Sequence, residues 1–227
     1  MTSPYYEDET VTLYHGDCRE IAEWLAADLL VTDPPYGVGW RRGVKRGRSD
    51  AGHPGIANDE DTSARDHVLR MWGDRPGVVF GSVYAPPPLV RPRHVLIWEK
   101  PPDSGVVGST TGYRRDVEAV YLTGRWPRVP AQRGSVIRSQ IGAAGGLGSA
   151  AGRTGHPHAK PLDLLESLLV HSPPGVVSDP FAGAGSTLVA ARNLGRCAIG
   201  VELEERYCEI AAKRLAQGCL DLSGATS

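Results

Sequence analysis

The residues Asp33, Pro34, Pro35 and Tyr36 form a short motif that could carry chemistry. The motif follows the apolar run Leu29–Thr32, which is typical of a buried strand. Two consecutive prolines fix their φ angles near about −65°. A carboxylate and a backbone carbonyl are therefore held rigid beside an aromatic ring. This arrangement predicts two preorganised hydrogen-bond acceptors at the end of a strand.

A second motif, DPFAGAGST, begins at Asp179 and is followed by Glu202 after the next strand-like run. Gly183 and Gly185 carry no Cβ, so the backbone can turn tightly and approach a ligand. The helix that begins after the turn offers free N–H groups. Glu202 could accept hydrogen bonds from ribose hydroxyls. The motif therefore indicates a site for a nucleoside, and the alternative is a structural turn beside a solvated Glu202.

The glycine spacing of the second motif excludes two phosphate-binding motifs. GAGST lacks the third glycine of GxGxxG, and the chain contains no GK[ST] sequence. A cofactor that contains adenosine but no pyrophosphate fits better. Asp179 at the mouth of the turn could bind a cationic amino group. S-adenosylmethionine has these features.

Together the two motifs resemble those of the DNA amino-methyltransferases. The catalytic motif precedes the cofactor motif, which resembles the permuted, beta class of that family. Three further stretches are similar to the family: LYHGD before the first motif, HPHAKP before the second, and GVELEERY after it. The resemblance covers most of the chain and leaves out chiefly residues 37–57 and 124–155.

The resemblance implies roles for individual residues. The Asp33 carboxylate and the Pro34 carbonyl would each accept an N–H from the amino group of a base flipped out of the duplex. Pro35 would stiffen the turn and Tyr36 would stack on the base. Transfer would be direct, with no covalent enzyme intermediate. The implied cofactor-binding residues are Asp17, Asp33, Lys160, Pro161, Asp179, Pro180, Phe181, Ala182, Gly183, Gly185, Ser186, Thr187 and Glu202.

The first residue of the catalytic motif bears on the target base. In the family, an acid or amide at this position mostly accompanies N6 of adenine, whereas serine accompanies N4 of cytosine. Asp33 therefore favours site-specific adenine-N6 methylation of DNA. The alternatives are an N4-cytosine DNA methyltransferase, an enzyme acting on RNA or protein glutamine, and a catalytically impaired DNA-binding relative. The order of the motifs disfavours the glutamine enzymes.

The distribution of charge predicts where DNA would bind. The net charge of −1 by itself predicts no nucleic-acid partner. However, RRGVKRGR places five cations in eight residues, and no Asp or Glu occurs from Ala119 to Leu162. Arginine pairs well with phosphate and guanine edges. The predicted DNA contacts are Arg41, Arg42, Lys45, Arg46, Arg48, Arg125, Trp126, Arg128, Arg133 and Arg138, and a short target-recognition insertion is predicted at about 123–155.

Other sequence features limit the class of protein. The four cysteines form no CxxC pair, so a zinc site of that spacing is not expected. His156 and His158 lack a third ligand in the pattern, and no metal is predicted. No apolar run approaches the ~20 residues of a membrane span, and a cytoplasmic location is expected. The expected partners are double-stranded DNA, a second copy in a homodimer, and a cognate restriction endonuclease if the chain is the modification half of such a system.

The elements that must position these residues alternate between strands and helices. This alternation predicts a single α/β catalytic domain over residues 1–227 with helices on both faces of a parallel sheet. The resemblance implies a Rossmann-like methyltransferase fold with a seven-stranded, mostly parallel sheet and one reversed strand. Ligands of such sheets lie at the carboxyl ends of the strands. The predicted strands are 10–15, 29–32, 78–81, 94–100, 116–122, 176–179 and 198–203, and the predicted helices are 18–27, 64–73, 161–170, 187–194 and 205–217.

Overall fold

A computed structural model describes residues 2–37, 60–101, 112–128, 133–139 and 159–220. Within these ranges the chain forms one sheet and four α-helices. The strands are β1 Tyr6–Glu7, β2 Val11–His15, β3 Leu29–Thr32, β4 Gly77–Gly81, β5 His94–Glu99, β6 Val117–Thr123, β7 Val136–Arg138, β8 Val177–Asp179 and β9 Ala198–Glu202. The helices are α1 Ser63–Trp72, α2 Leu162–Val170, α3 Ser186–Asn193 and α4 Glu205–Leu220.

The sheet has the strand order β1-β2-β9-β8-β3-β4-β6-β5-β7. Strands β2, β9, β8, β3 and β4 are mutually parallel. Strand β6 is antiparallel to both of its neighbours, β4 and β5. The mostly parallel α/β architecture with a reversed β6 is therefore as predicted.

The predicted count of seven strands is wrong, because the sheet has nine in the described part of the chain. Strand β1 adds two residues antiparallel to β2, and β7 adds three residues parallel to β5. Strands this short show too little alternation of apolar and polar residues to be recognised in a sequence. Both additions lie at the outer edges of the sheet, so the order of the seven inner strands is unaffected.

Strand β3 shows how the sheet divides the core. All four of its residues are buried, as expected for a central parallel strand covered on both faces. Leu29 and Val31 point into a cluster that includes residues of α2, α3 and α4. Leu30 points the opposite way, into a cluster that includes Trp24 and residues of α1. The prediction of helices on both faces is confirmed.

The predicted helix at 18–27 is the one clear error among the helices. Only Glu23–Ala26 are helical there, and they form a single 3-10 turn. The Asp17 carbonyl accepts from the amides of Glu20 and Ile21, so the chain turns rather than entering an α-helix. The indole of Trp24 donates to the Cys18 carbonyl at 2.9 Å, which closes this compact connection. The other predicted helices and strands occur with their ends shifted by at most three residues.

Candidate active site

The two sequence motifs meet at one edge of the sheet. Asp33 directly follows β3, while Asp179 and Glu202 end β8 and β9. These strands are adjacent and parallel, so their carboxyl ends lie side by side. The Thr32 hydroxyl donates to Asp179 Oδ1 at 2.8 Å and thereby joins the motifs directly. The structure thus brings together the carboxylates that the sequence predicted to converge.

Both oxygens of Asp33 are engaged by side chains of the same chain. The Lys160 ammonium donates to Oδ2 at 2.6 Å, and the Tyr36 hydroxyl donates to Oδ1 at 2.7 Å. Lys160 Nζ also lies 3.2 Å from the Tyr36 oxygen. The Asp33 side chain is 22% exposed, whereas Lys160 is 7% exposed. The carboxylate is therefore partly exposed, while its cationic partner is buried.

Glu118, near the start of β6, completes this cluster and was missed by the sequence reasoning. Its Oε2 accepts from the Tyr36 hydroxyl at 3.2 Å and lies 3.3 Å from Lys160 Nζ. Its Oε1 lies 2.7 Å from the Lys100 ammonium. The pairing of β4 with β6 brings Glu118 to this edge. The only signal in the sequence was the second acid of DVEAVYL, which interrupts an otherwise apolar strand pattern.

Electrostatics favour the charged forms of Lys160 and Glu118 and the neutral form of Tyr36. Burial acts against the charge of Lys160, but Asp33 and Glu118 outweigh it and raise the pKa of the ammonium. Burial also opposes ionisation of Glu118, yet Lys160 and Lys100 lower the pKa of its carboxyl to about 2. Burial, together with the same two carboxylates, raises the pKa of Tyr36 well above its usual value. Tyr36 therefore remains a hydrogen-bond donor at neutral pH.

The glycine-rich turn after β8 is braced by Glu202. Its Oε2 accepts from the Gly183 amide and its Oε1 from the Glu204 amide, each at 2.7 Å. Gly183 and Gly185 both have positive φ angles, 51° and 75°. Gly185 immediately precedes α3, as the glycine pattern predicted. The turn therefore holds its shape through a carboxylate that the sequence had assigned to a ligand.

Two carboxylates beside the turn, Asp179 and Glu202, are disfavoured as ions. Asp179 accepts from the Phe181 amide at 3.1 Å as well as from Thr32. Burial raises the pKa of Asp179 to about 6, although hydrogen bonds from Thr187 and Thr32 partly oppose the shift. Burial likewise raises the pKa of Glu202 to about 6. Buried carboxylates of this kind suit a ligand that brings a cationic group or hydroxyl donors.

The remaining predicted cofactor residues differ in their surroundings. Asp17 lies two residues beyond β2 at the same edge, but both of its oxygens accept from the Arg19 guanidinium, with Nη2–Oδ2 at 2.5 Å. Hydrogen bonds from Arg19 lower the pKa of Asp17. Pro161 directly precedes α2 in an extended conformation. The turn residues Pro180, Ala182, Ser186 and Thr187 are buried, and Phe181 is half-buried against the core.

The structure does not bring all the predicted DNA contacts to this edge. Because β6 runs against β4, its last residue Thr123 pairs with Gly77 at the start of β4. Arg125, Trp126 and Arg128 follow Thr123 and so lie at the opposite edge from Asp33. Arg125 pairs there with Asp74 at 2.5 Å, and the Trp126 indole donates to the Thr123 carbonyl at 2.8 Å.

The other predicted DNA contacts are divided. Arg138 ends the outermost strand β7 on the side of the site and pairs with Glu99 at 2.9 Å. Arg133 precedes β7, towards the opposite edge. The basic run containing Arg41, Arg42, Lys45, Arg46 and Arg48 lies outside the described residues, as does most of the predicted recognition segment 123–155.

The family assignment follows from comparison with known proteins. A family model described as a DNA methylase, N6_N4_Mtase, matches residues 91–213, more than half of the chain. The chain belongs to this family. The match includes Glu118, Lys160, Asp179 and Glu202, while the motif that begins at Asp33 precedes it. The DNA methylase predicted from the sequence is thereby confirmed at the level of the family.

Individual relatives support the same assignment. The type II methyltransferase M.ScaI of Streptomyces caespitosus is 28% identical over 95% of this chain and 84% of its own length. The M1.HpyAVI–SAM complex superposes with a TM-score of 0.58 at 22% identity, covering 90% of this chain and 99% of that one. The cytosine-N4-specific PvuII DNA methyltransferase superposes with a TM-score of 0.61 at 19% identity, covering 93% and 88%. These structures show that the DNA methylase has their fold.

Over the ranges that the structure describes, no helix is both long and apolar enough to cross a membrane. Within the same ranges, no group of three or more His, Cys, Asp or Glu side chains is arranged to hold a metal ion.

Proposed function

We propose that this DNA methylase transfers a methyl group from S-adenosylmethionine to N6 of an adenine flipped out of double-stranded DNA. The observation that carries the proposal is the position of Asp33. Its partly open carboxylate stands at the carboxyl edge of the sheet, one residue from the Thr32–Asp179 hydrogen bond that leads to the glycine-rich turn. The proposed acceptor for the amino group therefore lies next to the glycine-rich turn proposed to bind the nucleoside part of the cofactor.

The residues of the turn fit S-adenosylmethionine. Asp179 is a buried carboxylate with a raised pKa, and a cationic amino group beside it would favour its ionised form. Glu202 holds the turn through Gly183 and retains lone pairs that can accept from ribose hydroxyls. When bound, S-adenosylmethionine supplies an electrophilic methyl group on a sulfonium. No phosphate-binding sequence is required.

Asp33 and Pro34 would prepare the nucleophile. The lone pair of an exocyclic amino group is delocalised into the base, so the nitrogen is a poor nucleophile. The Asp33 carboxylate accepting one N–H and the Pro34 carbonyl accepting the other favour a more tetrahedral nitrogen. Because the prolines fix both acceptors in advance, little reorganisation is needed when the base arrives. Tyr36 is held by its hydroxyl to Asp33 and Glu118, and its ring would stack on the base.

The choice of adenine rests on the acid at the first position of the motif. N4 of cytosine is the second candidate, and the fold shared with the cytosine-N4-specific PvuII enzyme favours keeping it. Both bases present an amino group that Asp33 and Pro34 could bind in the same way. Analysis of the methylated product separates the two candidates.

DNA would lie across the edge that carries Asp33. The loop after β4 and the loop before β6 both reach this edge, since β6 runs against β4. Tyr84 in the first loop is 56% exposed and Tyr113 in the second is 81% exposed. The Arg115 guanidinium lies 4.6 Å from the centre of the Tyr84 ring. Exposed aromatic rings and arginine suit contact with bases and phosphates, so we include these three residues in the proposed DNA surface.

The wider setting is also a proposal. The type II name of M.ScaI supports a role as the modification half of a restriction system, with a cognate endonuclease as partner. A homodimer and a cytoplasmic location remain predictions from the sequence. Co-purification from cells that express the chain with its neighbouring genes would test the endonuclease partner and the homodimer.

The proposed function is tested by identifying the methylated nucleoside. Purified protein is incubated with methyl-labelled S-adenosylmethionine and unmethylated duplex DNA, and the DNA is then digested to nucleosides. Label in N6-methyladenine is the expected result. Label in N4-methylcytosine would replace adenine by the second candidate. A folded protein that binds both cofactor and DNA but transfers no label would contradict the proposal.

A further inference from the structure

We propose that Glu118 is a positioning residue for methyl transfer. When the target amino group donates to Asp33, Lys160 and the Tyr36 hydroxyl would donate to Glu118 instead. This inference rests on the proposed role of Asp33 as the acceptor for that amino group. It goes further by explaining how Asp33 becomes available, since both of its oxygens accept from side chains of the protein itself.

The two donors on Asp33 already lie within reach of both carboxylates. Lys160 Nζ is 2.6 Å from Asp33 and 3.3 Å from Glu118. The Tyr36 hydroxyl is 2.7 Å from Asp33 and 3.2 Å from Glu118. In each case Asp33 is the nearer acceptor and Glu118 the farther one. A small movement of either donor would therefore exchange its partner without leaving it unpaired.

The target amino group needs this exchange because it is a weaker competitor than an ammonium. A hydrogen bond between an ammonium and a carboxylate is roughly twice as strong as one between neutral groups. Lys160 is 7% exposed, so water cannot easily replace a lost carboxylate partner. With Glu118 ionised beside it, the ammonium keeps a counter-charge while it moves off Asp33. Without Glu118, the Lys160 ammonium would have Asp33 as its nearby counter-charge and would compete more strongly with the target amino group.

Lys100 sets the strength of this second acceptor. Its ammonium lies 2.7 Å from Glu118 Oε1, while Oε2 faces Lys160 and Tyr36. Lys100 and Lys160 therefore compete for one carboxylate. If Lys100 competes in this way, its removal should not lower kcat. If Lys100 only stabilises the strand, its removal should lower kcat as removal of Glu118 does.

The test measures methyl transfer by the whole protein carrying Glu118→Gln. This substitution keeps the size of the side chain and removes its charge. The expected result is a fall in kcat of about tenfold to a hundredfold, at or below the effect of losing one preorganised group. KM for S-adenosylmethionine should stay near that of the wild type. The thermal unfolding temperature should fall, because Gln leaves Lys100 and Lys160 without the charge of a largely buried partner. Glu99→Gln is the matched control, since Glu99 pairs with Arg138 on the adjacent strand and does not contact Asp33.

Two more variants separate positioning from a merely structural role. Lys100→Gln breaks the same ion pair and should also lower stability, but it removes the competitor of Lys160, so kcat should not fall. A purely structural ion pair would instead lower kcat in both variants. In a Lys160→Met background, Glu118→Gln should lower kcat by a smaller factor than in the wild type, because one of the two donors through which it acts is gone and only the Tyr36 hydroxyl remains.

The outcomes distinguish this inference from the proposed function. An active wild type whose kcat is unchanged by Glu118→Gln would overturn the role of Glu118 and leave the function standing. Equal losses of kcat in Glu118→Gln and Lys100→Gln would do the same. A wild type that binds cofactor and DNA but transfers no methyl group would overturn the proposed function, and the role of Glu118 would fall with it.

Discussion

Replacing Asp179 by Asn should stabilise the cofactor-free protein while weakening its binding of cofactor. Burial raises the pKa of Asp179 from 3.8 to about 6, so folding opposes the ionised form of this carboxyl. A shift of about two pKa units corresponds to roughly 3 kcal/mol. Asn has the same shape and can still accept hydrogen bonds from the Thr32 hydroxyl and the Phe181 amide. The variant therefore keeps these two contacts and loses the cost of a buried charge.

The sign of the pH dependence follows from the raised pKa. Between pH 3.8 and about 6 the folded protein retains a proton on Asp179 that the unfolded chain has released. The free energy of unfolding therefore falls as the pH rises through this window. The stability contributed by protonated Asp179 is fully present below pH 3.8 and is lost above about pH 6. Asp179→Asn should remove this part of the pH dependence and leave the part due to Glu202, which has the same direction.

Chemical denaturation of the cofactor-free protein at pH 5 and pH 8 measures the effect. Asp179→Asn should be more stable than the wild type by up to about 3 kcal/mol at pH 8 and by less at pH 5. Calorimetric titration with S-adenosylmethionine should show weaker binding by the variant. Asp74→Asn, which alters an exposed carboxylate paired with Arg125, should keep the pH dependence of the wild type. A variant that is less stable at pH 8, or that binds cofactor as tightly as the wild type, would refute the reasoning.

Two other substitutions test the turn and the DNA surface. Gly185→Ala should lower the free energy of unfolding by about 1–3 kcal/mol in denaturant titrations, because φ is 75° and a Cβ would lie 2.9 Å from that of Ala211; unchanged stability would argue against this turn geometry. Arg115→Ala should weaken duplex binding and reduce the slope of log affinity against log salt by about 1. Arg125→Ala should leave the slope unchanged because Arg125 lies at the opposite edge, and the reverse pattern would place DNA at that edge.

The sequence predicted the parts of the site that depend on local motifs. Asp33 and Asp179 each end an apolar run, and parallel strands bring such ends to one edge. Glu118 could not be assigned in this way, because its place depends on β6 running against β4. The same reversal moves Arg125 away from Asp33, although both were predicted to belong to one DNA-binding enzyme. A strand's apolar pattern does not record its direction.

The sequence also could not reveal which groups of the protein donate hydrogen bonds to the carboxylates of the site. The motif predicted Asp33 as a free acceptor and Lys160 as a cofactor contact. In the structure Lys160 is buried against Asp33. Glu202, predicted to bind ribose, also braces the turn through the amides of Gly183 and Glu204. Contacts of this kind join residues that are far apart in the chain, and no local pattern encodes them.

The most direct test of the central claim is methyl transfer by Asp33→Ala. The substitution removes the proposed acceptor and leaves Asp179, Glu202 and the glycine-rich turn in place. Single-turnover transfer from labelled S-adenosylmethionine to duplex DNA should fall below detection, while calorimetry should show cofactor binding close to that of the wild type. Transfer at a rate near that of the wild type would contradict the assignment of Asp33 as the residue that holds the target amino group.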